Sequence, residues 1–290
     1  MPVGVVAQVV VSGILMGTIY ALIAIGFTMV FGVMNIVNFA HGHFVMLGMF
    51  AAYSMFSVWH VDPYLSLLLV LPAFFFLGIL FYKLLIDRLV GGHHFTQIVC
   101  TIGLFIFLEN LVNSIYGGDL RGVTTGYTTS AVVIAGTSIP VARAFAAALS
   151  IAAVTLLNLF LRKTRFGSAI RAAANNEIGA HLVGVDVRQI YMHAFAISVV
   201  LAALAGAVLL PFSLVSPFVS HDFMFKAFVI AIIGGLGSVP GALLGGLLIG
   251  VSEALAGLFL TDSFGNVLVF SLLILVLIFR PAGLLGGRAA

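Results

Sequence analysis

Apolar residues in this chain neither alternate nor recur in one-sided stripes. They run almost unbroken and give way at short clusters of Gly, Pro, Asn and charge. A helix needs roughly 20 mainly apolar residues to cross a bilayer. The runs predict crossing helices near 7–31, 43–60, 64–86, 95–116, 140–161, 191–213, 224–236, 240–260 and 264–280. The seventh is short and ends in glycines, so eight or nine crossings are expected. The predicted fold is all-α: a polytopic transmembrane bundle forming one domain over 1–290. Only two connections are long, 117–139 and 162–190. The first is rich in Gly and Thr and carries a β-like Val132–Gly136 stretch.

Composition turns the pattern into a membrane assignment. Apolar residues fill 62% of 290 positions and charged ones 7%, against about 25% charged in a soluble domain. So few charges could not cover a water-facing surface. The N-terminus has no Lys or Arg before its apolar run, which argues against a cleaved signal peptide and for retention of the first span. A single cysteine, Cys100, allows neither an intrachain disulfide nor a cysteine metal site. The formal charge of +3 is too small and too scattered for nucleic-acid binding.

Where the cations fall sets the orientation, because cytoplasmic loops carry the excess of Lys and Arg. With the N-terminus outside and nine crossings, Lys83, Arg88, Arg162, Lys163, Arg165, Arg171, Arg188, Arg280 and Arg288 fall inside. Arg121, Arg143 and Lys226 fall outside. The C-terminus is then cytoplasmic, 117–139 lies outside and 162–190 lies inside.

Within the inside loop, Ala169 to Val183 is rich in helix formers, interrupted by Gly179 and ended by Gly184. It is too polar and short to span, so a helix at the cytoplasmic face is expected, with Arg171 and Glu177 exposed. An ordinary amphipathic surface helix fits the same pattern. The loop sequence TRFGSAIRAAANNEIGAHLVGV also resembles the coupling loop of binding-protein-dependent ABC permeases, in which a short helix docks into a cleft on the ATPase subunit. The match is looser than the EAA-type pattern, because Asn175 and Asn176 precede Glu177. The resemblance implies ATPase contact by Arg171, Ala174, Glu177 and Gly184.

Three further stretches carry information. In residues 26–44, Asn35, Asn38 and His41 recur every third position, and Gly32 and Gly42 bracket a helix break. Polar groups next to apolar spans are costly unless paired or lining a wet cavity. They fit either a broken segment on a translocation path or a polar connection at the cytoplasmic interface. In residues 231–255, Gly234, Gly235, Gly237, Pro240 and Gly241 break any helix. Gly241/Gly245, Gly246/Gly250 and Gly13/Gly17 are small-residue pairs four apart, suited to close helix contact. Carboxylates inside spans are few: Glu109, one turn before Asn113, and Glu253. Intramembrane carboxylates are candidates for a pathway, or are held in helix contacts.

The first two of these stretches and the ending FRPAGLLG, 279–286, closely resemble motifs of the branched-chain amino-acid (Leu/Ile/Val) permeases, so the likeness runs from about residue 13 to 286. It implies an importer subunit of the bacterial inner membrane, driven by ATP and Mg on two partner ATP-binding subunits. It further implies a second homologous permease and a periplasmic or extracellular substrate-binding protein as partners, all in a lipid setting. A urea or amide cargo is the alternative within that class.

No phosphate-binding loop is present, since none of Lys83, Lys163 and Lys226 follows a glycine-rich turn. The chain is therefore expected to be no enzyme, with no cofactor or metal of its own. HExxH and GxSxG sites are also missing. An ion-coupled secondary transporter would bring inverted repeats, and none is evident. An intramembrane lipid enzyme would need support around His41 and His43 that the sequence lacks.

Overall fold

The computed structural model describes residues 3–134, 136–259 and 262–286. Its helices are α1 (Val3–Met34), α2 (His41–Trp59), α3 (Leu67–Leu84), α4 (His94–Tyr116), α5 (Val141–Lys163) and α6 (Arg165–Asn175). Then follow α7 (Glu177–Leu182), α8 (Val187–Leu209), α9 (Val219–Gly234), α10 (Val239–Phe259) and α11 (Asp262–Phe279). Seven of them are long and apolar enough to cross a membrane: α1 to α5, α8 and α10. At 16 residues α9 reaches about 24 Å, short of the roughly 30 Å hydrocarbon core. Among the described residues, α9 and α11 fall on the two remaining apolar runs, so each of the nine runs is a helix while seven are long enough to cross. One β-hairpin, β1 (Ala131–Ile134) with β2 (Thr137–Pro140), pairs Ala131 with Pro140 and Ile134 with Thr137 in the long loop.

Lipid offers no hydrophobic drive between helices, so close packing of small residues must hold the bundle. The glycine pairs serve that purpose. A Cβ on Gly13 or Gly17 would lie 2.8 Å from the carbonyl oxygen of Gly250 or Gly246, fixing the long α1–α10 seam. Gly241 would strike the Gly234 carbonyl at 2.0 Å, so α9 and α10 meet at their shared turn. The tightest long-range crossing joins α2 and α8. There, a Cβ on Gly206 would sit 2.0 Å from the Val45 carbonyl oxygen, and one on Gly48 would sit 2.4 Å from that of Ala203. Accordingly α8 and the second half of α1 form the buried centre.

The break between α9 and α10 leaves carbonyls that a membrane cannot solvate. The FRPAGLLG ending supplies the donors: Leu284 N–H donates to the Ile233 carbonyl at 2.7 Å and Leu285 N–H to that of Gly234 at 3.1 Å. Gly235 adopts φ +99° and Gly283 φ +81°, and a Cβ on Gly283 would fall 2.5 Å from Gly235 Cα. Two motifs far apart in sequence thus close one turn.

Two expectations are corrected. The single helix over Ala169 to Val183 is two helices, because Asn176 turns extended and its Oδ1 accepts from Gly179 N–H, starting α7. Lys226 is not an outside loop cation. It lies within α9, where Glu253 of α10 compensates its charge. Arg288 falls outside the described residues.

Candidate translocation path and cytoplasmic loop

Met34 ends α1 because Asn35 takes φ 52°, a left-handed conformation that Asn tolerates better than most residues. The chain then runs without helix to Ala40 and re-enters the bundle, with Ile36, Asn38 and Ala40 buried. Asn38 Oδ1 accepts from Ala40 N–H at 3.1 Å and helps start α2. His41 is fully buried with Nε2 2.9 Å from the Ile23 carbonyl oxygen, eleven residues before the end of α1. At 1.5 Å per residue, α2 therefore begins about 16 Å deep along α1. The segment is thus folded back against the bundle. The every-third spacing does not unite its polar groups, since Asn35 is exposed while Asn38 and His41 are buried. Asn38 Nδ2, His41 Nδ1 and His43 Nδ1 have no hydrogen-bond partner among the described residues.

Glu109 is drawn to histidines rather than to Asn113. Its Oε2 lies 2.6 Å from His221 Nε2 on α9 and 3.3 Å from His43 Nε2 on α2. Phe105 stacks on His43 at 4.4 Å between centroids. The histidines border an apolar cavity of about 300 Å³ walled by Phe39, Phe105, Phe228 and Phe270. Asn113 is half-buried one turn on, and its carbonyl caps the helix through Gly117 N–H.

Glu253 meets Lys226, with Oε1 2.6 Å from Nζ, and the same ammonium donates to Tyr20 Oη at 2.9 Å. Sequence reasoning missed His221, Lys226 and Tyr20 as partners. The signal available was that a carboxylate inside a span needs a compensating group, and the short seventh segment holds a cation. We expect Lys226→Met to cost about 2 kcal/mol by leaving Glu253 unpaired. Glu253 is 29% exposed, which keeps the loss below that of a fully buried pair. Thermal unfolding in detergent checks this: Lys226→Met should melt lower than wild type, and adding Glu253→Gln should restore part of the difference.

At the opposite end of α5, Thr164 Oγ1 caps α6 by accepting from Gly167 N–H at 2.9 Å. Gly167 packs on the α5 backbone, where a Cβ would lie 2.4 Å from the Phe160 carbonyl oxygen. That holds the loop rigidly against its helix. Arg171, Ala174, Glu177 and Gly184 are all exposed, and Gly184 ends the segment at φ +84°. Ile178 and Leu182 of α7 and Val183 just after it are 75%, 83% and 77% exposed, an apolar surface that the sequence reading did not single out. Nearby, Arg188 clasps Asp87 through Nε at 2.8 Å and through a second nitrogen, tying the start of α8 to the short 3-10 turn Ile86–Arg88 that follows α3.

A glycine-packed bundle of long apolar helices defines a multi-pass membrane protein. The chain belongs to the family described as branched-chain amino acid transport system / permease component, which matches residues 9–278. It is 33% identical to the high-affinity branched-chain amino acid transport system permease protein BraD of Pseudomonas aeruginosa, over 96% of this chain and 95% of that protein. LivH of Salmonella typhimurium, bearing the same description, is also 33% identical over 96% of this chain and 95% of its own length. LivM, another permease of such a system from Escherichia coli K12, is 33% identical over 46% of this chain and 32% of its length. No solved structure matches the chain.

Proposed function

We propose that this chain is the membrane-spanning permease subunit of an ABC importer that moves branched-chain amino acids inward across the bacterial inner membrane. The observation that carries the reading is the end-to-end likeness to permeases named for that transport. The geometry agrees with it, because the bundle offers internal polar groups while α6 and α7 present a surface outside it. Two ATP-binding subunits hydrolyse Mg-ATP, and their movement reaches the spans through Arg171, Ala174, Glu177 and Gly184 in the loop at 162–190. A substrate-binding protein delivers the cargo at the face that carries the 117–139 hairpin loop. A second, homologous permease completes the pore, as the partial likeness to LivM supports.

Rigid docking is what lets ATP-driven motion rock helices as bodies. The α5–α6 junction meets that need through its cap and its glycine contact. Asn35, Asn38, His41, Glu109, Asn113 and Glu253 are the candidates for the path. The test is reconstitution of the chain with its ATPases and binding protein in liposomes. ATP-dependent accumulation of leucine, isoleucine or valine is the expected result. Uptake of urea or an amide in their place would overturn the cargo and leave the importer class standing.

A further inference from the structure

Near the N-terminal end of α1, a cavity of about 290 Å³ opens between α1, α10 and the start of α5. Its walls include Ser12, Met16 and Tyr20 of α1, Arg143 of α5, and Glu253 and Ala254 of α10. Two opposite charges face it with unused capacity. Of the Arg143 guanidinium nitrogens, only one donates a hydrogen bond, to Ser12 Oγ, and Nε is buried with no acceptor among the described residues. The guanidinium is held in place 5.6 Å from the Phe212 ring centroid. No carboxylate lies within ion-pair distance of Arg143 among the described residues. Glu253 engages Lys226 through Oε1, while Oε2 makes no hydrogen bond among the described residues.

We propose that this cavity is a binding site for the α-amino acid cargo on its way through the bundle. Arg143 takes the carboxylate and Glu253 Oε2 takes the ammonium, while Val9, Met16 and Ala254 receive the aliphatic side chain. The inference rests on the importer reading above and adds to it the residues that hold the cargo. Its physical basis is the placing of two opposite charges across one cavity: Arg143 has no carboxylate partner among the described residues, and Lys226 engages only one oxygen of Glu253. A guanidinium in a partly desolvated site draws a carboxylate through charge-assisted hydrogen bonds. A simple anion would satisfy Arg143 alone, whereas a zwitterion answers both groups at once. Tyr20 and Lys226 form the floor: Nζ sits 4.6 Å from the Tyr20 ring centroid and holds Glu253 in position. Beyond Tyr20, residues 21–30 of α1 are buried throughout, closing the way to a second cavity lined by Thr28, Arg162 and Arg171 at the other end. Both cavities are bounded by α1, α5 and α10, as an occluded passage between two vestibules requires.

The test measures equilibrium binding of tritiated leucine to the full chain, purified with its co-expressed partners in nanodiscs and without the binding protein. Wild type should bind, Arg143→Gln should weaken binding at least tenfold, and Arg143→Lys should recover part of it. Leucinamide, which lacks the carboxylate, and isocaproate, which lacks the ammonium, should each compete at least tenfold less well than leucine. Should Arg143→Gln fail to fold, Val9→Trp fills the cavity from α1 with every charge retained, and it should abolish binding. Wild-type binding in Arg143→Gln or in Val9→Trp would overturn the site. So would loss of leucine binding when phosphatidylglycerol replaces phosphatidylcholine in the nanodisc, since that would assign the pocket to a lipid phosphate. ATP-dependent leucine uptake by wild type separates the two levels. Its absence removes the importer reading, whereas uptake with unaltered binding in the variants removes only this assignment.

Discussion

Gly206→Leu is expected to remove a large part of the stability of the folded protein. The α2–α8 crossing is closed by backbone on both sides, with Gly206 against the Val45 carbonyl and Gly48 against Ala203. A side chain there meets main chain that cannot rotate away, so the helices must separate and Phe44, Met49 and Phe195, all fully buried, lose their contacts. Overpacking a core costs about 1–3 kcal/mol where side chains can give, and a rigid backbone contact puts this site at or above the top of that range. Total stabilities lie near 5–15 kcal/mol, so a large part of the margin disappears. Detergent-solubilised Gly206→Leu should lose its monodisperse peak in size-exclusion chromatography. Gly103→Leu on α4 is the control, because a Cβ at Gly103 meets nothing within 4 Å. An unchanged profile for Gly206→Leu would contradict the packing described.

The second large effect concerns coupling. Ile178→Asp with Leu182→Asp should cut both ATPase copurification and ATP-driven uptake more than tenfold while leaving the melting temperature of the permease unchanged. Both side chains are mostly exposed, at 75% and 83%, so the bundle loses little when they change. Fully burying an aliphatic side chain of this kind is worth on the order of 2 kcal/mol, and each 1.4 kcal/mol is about tenfold in affinity. Introduced carboxylates add the cost of burying an unpaired charge. Full copurification and uptake in the double variant would remove the apolar face of α7 from the coupling contact. Glu177→Arg is the companion change. Unaltered ATP-coupled transport there would remove Glu177 from the coupling contact even if α7 docks.

The loop shows how far sequence carried the reading. Its place between two spans, its cations and its exposure were legible, because a polar stretch of helix formers between apolar runs has few other options. Its division into two helices was not. Asn176 reads as one more polar residue until its side chain is seen accepting the Gly179 amide. The apolar patch on α7 was hidden for a similar reason, since isolated Ile and Leu in a loop read as packing residues until their accessibility is known.

The 26–44 stretch shows the reverse order. Polar residues beside a span, bracketed by glycines, left a surface connection and a buried break equally open. The His41–Ile23 contact shows the chain turning back along α1. Hydrogen bonds between residues eighteen apart depend on how α1 and α2 are laid against each other, and no local propensity encodes that.

What the sequence determined by itself is the membrane solution. Twenty-residue apolar runs with few charges can satisfy their backbone in lipid only as helices, and glycine spacing marked where those helices touch. The tertiary structure alone decided which charges are compensated. Glu109 rests on His43 and His221, Glu253 on Lys226, and Arg143 has no carboxylate beside it among the described residues. The reason is physical: each partner lies on a different helix. The pairing is therefore set by the rotation and depth of rigid rods in the bundle, which close glycine contacts fix, as Gly42 on Ser220 does beside His43 and His221.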